Sequence, residues 1–279
     1  MFDTNNVKSI REGLSRGESR LLSSLAEKRK NIFSLNDVIL ELNCPYGNAK
    51  VIANRLVKKK WIIPLGRGKY LIVPLSAGVE GKYTEHEFVI ASKLVSPYYI
   101  GYWSALNYYG FTEQTPLTVF IATTKRLRNR KTLDIDYRFV TLSKRKFFGF
   151  TGIAVANSTV NISDKEKTIA DSLDHPEYCG GISEVTKCLW NARNEMSLSK
   201  LVDVALKMGN TSILKRFGYL SEILEMRPPK DVISKISFSL GKGFSPLDPV
   251  ASKKGKYSTK WNLLVNVPVE SLLEWRRGY

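Results

Sequence analysis

The sequence has little of what metal and hydrolase sites are usually made of. It contains two histidines, His86 and His175, and three widely spaced cysteines without a CxxC pair, Cys44, Cys179 and Cys188. A zinc cage needs clustered Cys and His ligands, and a Ser-His-Asp triad needs a well-placed imidazole. We therefore expect no metal site and no triad hydrolase, and we expect the cysteines to be reduced and packed.

Long apolar runs and acidic residues are also scarce. No stretch approaches the roughly 18 apolar residues of a membrane span, and the first twenty residues lack the apolar core of a signal peptide. No Gly-rich loop has the spacing of a nucleotide site, so no cofactor is expected. Against 26 Asp and Glu stand 43 Lys and Arg, a net charge of +17. These features predict a cytoplasmic protein without membrane segments whose field attracts polyanions.

The positive charge is concentrated in two segments. Residues 1–75 carry 14 Lys and Arg against six Asp and Glu, a net charge of +8, and residues 114–163 carry nine against two, a net charge of +7. A basic surface can serve solubility alone, and that interpretation stays open for the second segment. In the first segment, the order of the elements favours nucleic acid.

The first 78 residues have the element order of a winged helix-turn-helix. Apolar spacing predicts a helix over about 18–30, and Ser34 with Asp37 makes a capping-box pattern for the helix LNDVILEL. Pro45 disfavours helical geometry before it, and a third helix follows over about 47–59. Two β-rich runs around Gly66-Arg67-Gly68 then predict a hairpin, the wing.

The third predicted helix is laid out as a recognition helix. One stripe is small and aliphatic and should face inward: Ala49, Ile52, Ala53 and Leu56. The opposite stripe carries residue types that hydrogen-bond bases or neutralise phosphates. The predicted DNA-contacting residues are Asn48, Lys50, Asn54, Arg55, Lys58, Lys59 and, at the tip of the hairpin, Arg67.

Residues 79–279 are expected to form a larger mixed α/β domain, beyond a linker at Ser76-Ala77-Gly78, which makes the chain α+β in class. Helices are predicted near 84–95, within 98–111 and over 165–175, 182–192, 197–208 and 211–226, with another beyond 230. Strands are predicted at 117–124, 133–142, twice within 148–162 and near 261–267. Ser163 and Glu166 have capping-box spacing ahead of the helix DKEKTIADSLDH.

The second basic segment forms two clusters on either side of the strand 133–142. Opposite ends of a ten-residue strand are roughly 30 Å apart, so a single patch requires curvature or a folded-back loop. We expect a surface for an anionic polymer, against the simpler alternative of a solvated rim. Its residues are Lys125, Arg126, Arg128, Arg130, Lys131, Lys144, Arg145 and Lys146.

Four motifs resemble the AbiEi family of antitoxins and viral-defence transcriptional regulators. They are YIGYWSALN at 99–107, TVFIAT at 118–123, EKTIAD at 166–171 and DHPEYCGG at 174–181, and the resemblance covers roughly residues 15–195. It implies a winged-helix domain that represses its own promoter by binding repeated sites on double-stranded DNA. It also implies a C-terminal domain that helps neutralise a nucleotidyltransferase toxin without a stable complex.

Two other functions compete with a DNA-binding repressor. A metal-dependent nuclease could draw on several acidic residues and on the E-x-K spacing of Glu80 and Lys82, but that pair lies in the predicted linker. Helix capping also explains some of the carboxylates better. The acidic and basic candidates are Asp134, Asp136, Asp164, Glu166, Lys167, Asp171 and Asp174. The other alternative is a binding module for RNA or protein. We expect no enzyme.

Overall fold

The computed structural model describes residues 11–66, 68–78, 80, 83–156 and 158–278. The chain divides into two compact units, Met1–Leu94 and Val95–Tyr279. The sequence places the domain boundary after residue 78, sixteen residues earlier than this division. The difference lies in a helix at Glu87–Leu94, which packs against a strand of the first unit.

The first unit is a winged helix-turn-helix with one further helix. Its helices are α1 (Arg16–Glu27), α2 (Leu35–Leu42), α3 (Tyr46–Lys58) and α4 (Glu87–Leu94), and its strands are β1 (Ile32–Ser34), β2 (Ile62–Gly66) and β3 (Lys69–Ile72). The strands form an antiparallel sheet in the order β1-β3-β2. Leu21, Leu25, Val38 and Leu56 are fully buried and centre the core of α1, α2 and α3.

Local sequence explains where these helices begin and end. Ser15 with Glu18 and Ser34 with Asp37 form capping boxes at the starts of α1 and α2, so the predicted capping box at Ser34 is confirmed. Asn43 ends α2 in the left-handed conformation, which asparagine tolerates. The chain then turns through Pro45 into α3.

The second unit is built on a six-stranded mixed sheet with helices packed on it. The strands are β4 (Tyr99–Ile100), β5 (Thr118–Thr123), β6 (Arg130–Thr132), β7 (Ile135–Thr141), β8 (Phe150–Val155) and β9 (Ser158–Ser163), in the order β6-β7-β5-β4-β9-β8. β5 is parallel to β7, and β4 is parallel to β9. A smaller sheet has the order β10-β12-β11, from β10 (Ser245–Pro246), β11 (Lys256–Ser258) and β12 (Leu263–Val265).

Seven α-helices of the described chain accompany these sheets. They are α5 (Tyr102–Tyr108), α6 (Lys165–Asp174), α7 (Ile182–Ala192), α8 (Leu198–Met208), α9 (Thr211–Ile223), α10 (Lys230–Ser239) and α11 (Val269–Leu272). Their apolar residues form one core cluster with the sheet side chains Phe120, Ala122 and Val140. The three cysteines are free thiols. Cys179 and Cys188 are buried, which raises the pKa of each thiol and confirms the predicted packing of these two, whereas Cys44 is half-buried.

The capping box predicted for α6 is wrong. Asp164 is the N-cap, and its side chain accepts a hydrogen bond of 2.8 Å from the Lys167 backbone N–H. The Ser163 hydroxyl instead lies 2.7 Å from the Thr168 hydroxyl. The Glu166 carboxylate accepts hydrogen bonds from the Ser197 backbone N–H and the Lys200 ammonium group, at the N-terminus of α8.

Candidate nucleic-acid interface

The core of the first unit holds α3 by its small side chains. Ala49, Ala53 and Leu56 are fully buried, and Ile52 is half-buried against the same cluster. Because an alanine side chain ends at Cβ, two of them on one stripe bring the helix backbone close to the core. The opposite side of α3 faces away from the core.

The outward side of α3 carries five polar side chains without partners. Asn48, Lys50, Asn54, Arg55 and Lys58 are all exposed. None of their side chains makes a hydrogen bond or ion pair within the described part of the chain. Such groups can exchange water for bases and phosphates without first breaking an internal contact, because their charges and amides are already solvated.

Lys59 differs from the other predicted contact residues. Its ammonium group lies 2.6 Å from the carboxylate of Glu18, and its side chain is only 21% exposed. Burial by itself raises the pKa of Glu18. Hydrogen bonds from Lys59 and Ser15 together lower this pKa by more than burial raises it, so the net pKa lies below the usual range. Lys59 is therefore placed as a link between α1 and the end of α3.

The N-terminus of α3 is open to an approaching ligand. Pro45 makes no side-chain capping bond there, and the first backbone N–H groups of a helix have no partners within it. Tyr46, in the first turn, is 60% exposed. In helix-turn-helix proteins, this end of the recognition helix lies nearest the base edges.

The hairpin between β2 and β3 is attached to α2. Gly66 and Gly68 have φ values of 90° and 68°, which glycine adopts without steric cost. The Gly68 carbonyl accepts a 3.0 Å hydrogen bond from the Leu35 N–H, at the start of α2. Arg67, the predicted contact at the tip, lies outside the described residues, so its role stays a prediction.

The two clusters of the second basic segment begin at the same end of the sheet. Because β5 and β7 are parallel, Thr123 pairs with Thr141, and both basic segments follow directly. The Thr141 hydroxyl lies 3.4 Å from the Lys125 carbonyl oxygen. The loop after β5 then folds back along β7, where the Asn129 side chain accepts a hydrogen bond from Phe139. The roughly 30 Å separation considered from sequence thus does not apply to Lys125.

The eight predicted residues of this face divide into engaged and free side chains. Arg145 donates to the Lys207 carbonyl oxygen over 3.0 Å, and Lys146 lies 2.5 Å from the buried carboxylate of Asp174. The Arg130 guanidinium, on β6, lies over the Phe139 ring of β7, and the Lys131 ammonium group lies 3.7 Å from the exposed carboxylate of Asp134. Within the described ranges, four of the eight have an exposed side chain without a partner: Lys125, Arg126, Arg128 and Lys144.

Sequence analysis did not include Arg138, on β7, among the residues of this basic face. This residue is exposed on β7, and its guanidinium lies 4.5 Å from the centre of the Tyr178 ring. The alternation of side chains along a strand predicts which positions are exposed. It does not predict a contact with an aromatic side chain from a distant segment, here Tyr178. Register with Phe120 on β5 places Arg138 on the helix-covered side of the sheet.

The buried acidic residues of the nuclease alternative are engaged with other groups. Asp171 is buried with Lys167 and accepts a 2.8 Å hydrogen bond from the Tyr99 hydroxyl, and Asp174 accepts one of 2.6 Å from Asn210. No three His, Cys, Asp or Glu residues in the described ranges are placed to hold a metal ion. Lys82 lies outside the described residues. Among the helices that the structure describes, none is long and apolar enough to cross a membrane.

Comparisons with known proteins agree with this architecture. Residues 20–73 match the family model described as transcriptional regulator, AbiEi antitoxin. No curated protein is significantly similar to this chain. Among solved structures, the RV2827C protein from Mycobacterium tuberculosis is similar over 96% of this chain and 98% of that chain, with a TM-score of 0.68 and 14% identity, a likeness of fold alone. The matched segment, residues 20–73, carries the winged helix-turn-helix of the first unit and is similar to the AbiEi antitoxin family of transcriptional regulators.

Proposed function

We propose that the chain is a sequence-specific transcriptional repressor that binds promoter DNA through α3. The observation that carries the proposal is the exposed, unpartnered polar face of this helix, in the third-helix position of a winged helix-turn-helix. The 13 residues of α3 span about 20 Å at about 1.5 Å per residue, and a major groove about 12 Å wide accepts such a helix. A repressor of this kind acts in the cytoplasm, beside its promoter.

The side chains of α3 suit different parts of a duplex. Asn54 can donate to and accept from an adenine edge at once, which distinguishes adenine from other bases. Lys50 and Lys58 are flexible point charges suited to phosphates, and Arg55 can bind phosphate or guanine in a fork. Lys59 is not included because its ammonium group is already paired with Glu18.

Substitutions on α3 test this proposal with the full-length protein and a duplex from the promoter upstream of its gene. Asn54→Ala should relax the preference for promoter over scrambled duplex, since about 1–3 kcal/mol of base discrimination is lost. Lys50→Ala and Lys58→Ala should weaken binding to both duplexes about equally. Electrophoretic mobility shifts measure both effects.

Lys230→Ala is the matched control because Lys230 is exposed and lies in the second unit. It should bind both duplexes like the wild type. An Asn54→Ala variant that keeps the full preference for the promoter would contradict base reading by this residue. Preferential binding of structured RNA by the wild type would favour the RNA-binding alternative, and Mg²⁺-dependent cleavage of DNA would favour the nuclease alternative.

We also propose that the chain represses its own operon at repeated sites and counteracts a nucleotidyltransferase toxin without a stable complex. The family match over residues 20–73 supports both roles. In this proposal the chain acts by binding rather than by catalysis. Coexpression with a nucleotidyltransferase encoded beside it should restore growth, while the two proteins should elute separately in size-exclusion chromatography. Growth arrest despite normal expression of this chain would contradict the antitoxin role.

A further inference from the structure

The small sheet of the second unit presents two exposed aromatic rings side by side. Phe244 precedes β10 and Tyr257 lies in β11, and their ring centres are 4.8 Å apart at an interplanar angle of 69°. Tyr257 is 64% exposed and Phe244 is 48% exposed. In this edge-to-face arrangement, each ring keeps much of its surface in water.

Lysines are frequent in the sequence on both sides of the two rings. Residues 240–262 contain five lysines and one aspartate. Lys260 pairs with Glu222 at 2.9 Å, whereas the other four are exposed and have no partner among the residues that the structure describes. These four are Lys242, Lys253, Lys254 and Lys256. Lys256 and Tyr257 are successive residues of β11, and both line the same groove of the small sheet.

The segments that carry these side chains are held in place. Lys215 is buried and donates a 2.7 Å hydrogen bond to the Gly243 carbonyl, next to Phe244. Asn266 donates to the carbonyls of Asp248 and Ser252 and so ties the loop before the lysines to the end of β12. Gly255 approaches β12 so closely that a Cβ there would lie 2.1 Å from the Val265 carbonyl oxygen. The rings and charges are thus displayed on an ordered support.

An open groove of about 500 Å³ adjoins this surface. Lys254, Lys256 and Tyr257 line one side, and Tyr219, Asn266 and Glu270 are among its other lining residues. The groove lining therefore includes one carboxylate, that of Glu270, and two lysines. The acid group of Asp248, nearby in sequence, already accepts hydrogen bonds from the backbone of Val250 and Ala251. The local potential is therefore positive.

We propose that this surface, defined by Lys242, Phe244, Lys254, Lys256 and Tyr257, binds a single-stranded segment of nucleic acid. Exposed rings stack on bases of any sequence, and lysines beside them neutralise the backbone phosphates. In a duplex the bases are stacked on each other, so no base faces are available for the two rings to stack on. The inference is independent of the winged helix and of the proposed repressor function.

Fluorescence anisotropy with the full-length protein and fluorescein-labelled 12-mers of oligo(U) and oligo(dT) tests this. Wild type should bind both strands. Tyr257→Ser and Phe244→Ser should each weaken binding about 5- to 150-fold, as expected for the loss of one base–aromatic stack. Lys254→Gln combined with Lys256→Gln should lower the slope of log K against log salt by about 0.7 per lysine.

Tyr108→Ser is the matched control, since Tyr108 is 45% exposed on α5, away from the small sheet. It should bind the 12-mers like the wild type, and Tyr257→Ser should bind promoter duplex like the wild type. Equal binding by Tyr257→Ser and Tyr108→Ser, or no binding of 12-mers by the wild type, would overturn the proposal. Binding of fluorescein-labelled polyglutamate, but not of the 12-mers, by the wild type would instead identify a surface for acidic protein.

Discussion

Lys167 and Asp171 form an ion pair with no exposure to water at the centre of the second unit. Tyr99 completes the group, because its hydroxyl accepts a 2.9 Å hydrogen bond from Lys167 and donates one to Asp171. The Lys167 ammonium also lies 5.2 Å from the centre of the Tyr99 ring. Burial of a charge is tolerated when an opposite charge and hydrogen bonds satisfy it, and removing one member leaves the other uncompensated.

Substitutions in this group should therefore destabilise the second unit strongly. Lys167→Met or Asp171→Asn should cost about 3–5 kcal/mol of unfolding free energy, and Tyr99→Phe about 1–3 kcal/mol. Urea denaturation followed by circular dichroism measures these changes. Lys165→Met is the control: its pair with Glu195 is partly exposed and should contribute less than about 1 kcal/mol. A loss at Lys167 no larger than at Lys165 would be inconsistent with a structural role for the buried pair.

Glu18 has the corresponding role in the first unit. Its carboxylate accepts a 2.8 Å hydrogen bond from Ser15 N–H in the capping box and pairs with Lys59. Glu18→Gln should destabilise α1 by about 1–3 kcal/mol, the cost of an unsatisfied buried partner. The net pKa of Glu18 is lowered in the folded chain, so its stabilisation is complete above the ordinary value near 4.3 and is lost as pH falls through the folded value.

Hydrogen exchange of the α1 amides at pH 7 and at successively lower pH measures this effect. The difference between wild type and Glu18→Gln should shrink below about pH 4, near the ordinary carboxyl pKa. Glu27→Gln at the other end of the same helix serves as control, since Glu27 is exposed. A pH-independent difference would show that packing rather than charge explains the effect of Glu18.

At the scale of elements, the parallel pairing of β5 and β7 gathers one part of the second basic face. Its free side chains after β5 are Lys125, Arg126 and Arg128, whereas Arg145 and Lys146 hold α6 and α8. We expect reversal of Lys125, Arg126 and Arg128 to Glu to lower the affinity or cooperativity of full-length protein for promoter DNA, or to impair protection from a toxin. Mobility shifts and growth assays measure these outcomes.

A variant that exchanges Lys and Arg at the same three positions keeps the charge and is the matched control. It should bind and protect like the wild type. If the reversed variant folds normally and also matches the wild type in both assays, this face serves solubility only. Arg130 is left unchanged in both variants because its guanidinium lies over Phe139.

For the whole molecule, the net charge of +17 predicts strongly salt-dependent DNA binding. Residues 1–75 hold a net charge of +8, and neutralisation of about six phosphates would make log K fall with log salt at a slope near −5. Filter binding or anisotropy between about 50 and 200 mM salt measures the slope. Lys50→Ala should reduce its magnitude by about 1, and Lys230→Ala should leave it unchanged. A slope near zero for the wild type would contradict phosphate contacts as the source of affinity.

The sequence by itself determined the features that depend on neighbouring residues. The Ser34 and Asp37 capping box spans four residues, and the predicted helix 182–192 agrees with α7 because its apolar periodicity lies within one segment. The order of elements is helix, helix, basic helix and hairpin within 75 residues. This order was sufficient to predict the winged helix-turn-helix. The exposed stripe of α3 follows from the same periodicity, which is why five of its predicted contact residues are exposed.

Only the tertiary structure decided which charged side chains already have partners. Lys59 meets Glu18 across 41 positions of sequence and Lys146 meets Asp174 across 28, so no local pattern indicates that either is engaged. Glu166 likewise accepts hydrogen bonds from the start of α8, because packing brings those donors near it. The parallel register of β5 and β7 likewise joins two basic segments that the sequence separates. Spacing along the chain predicts local hydrogen bonds, whereas ion pairs and sheet order depend on how distant segments pack against each other.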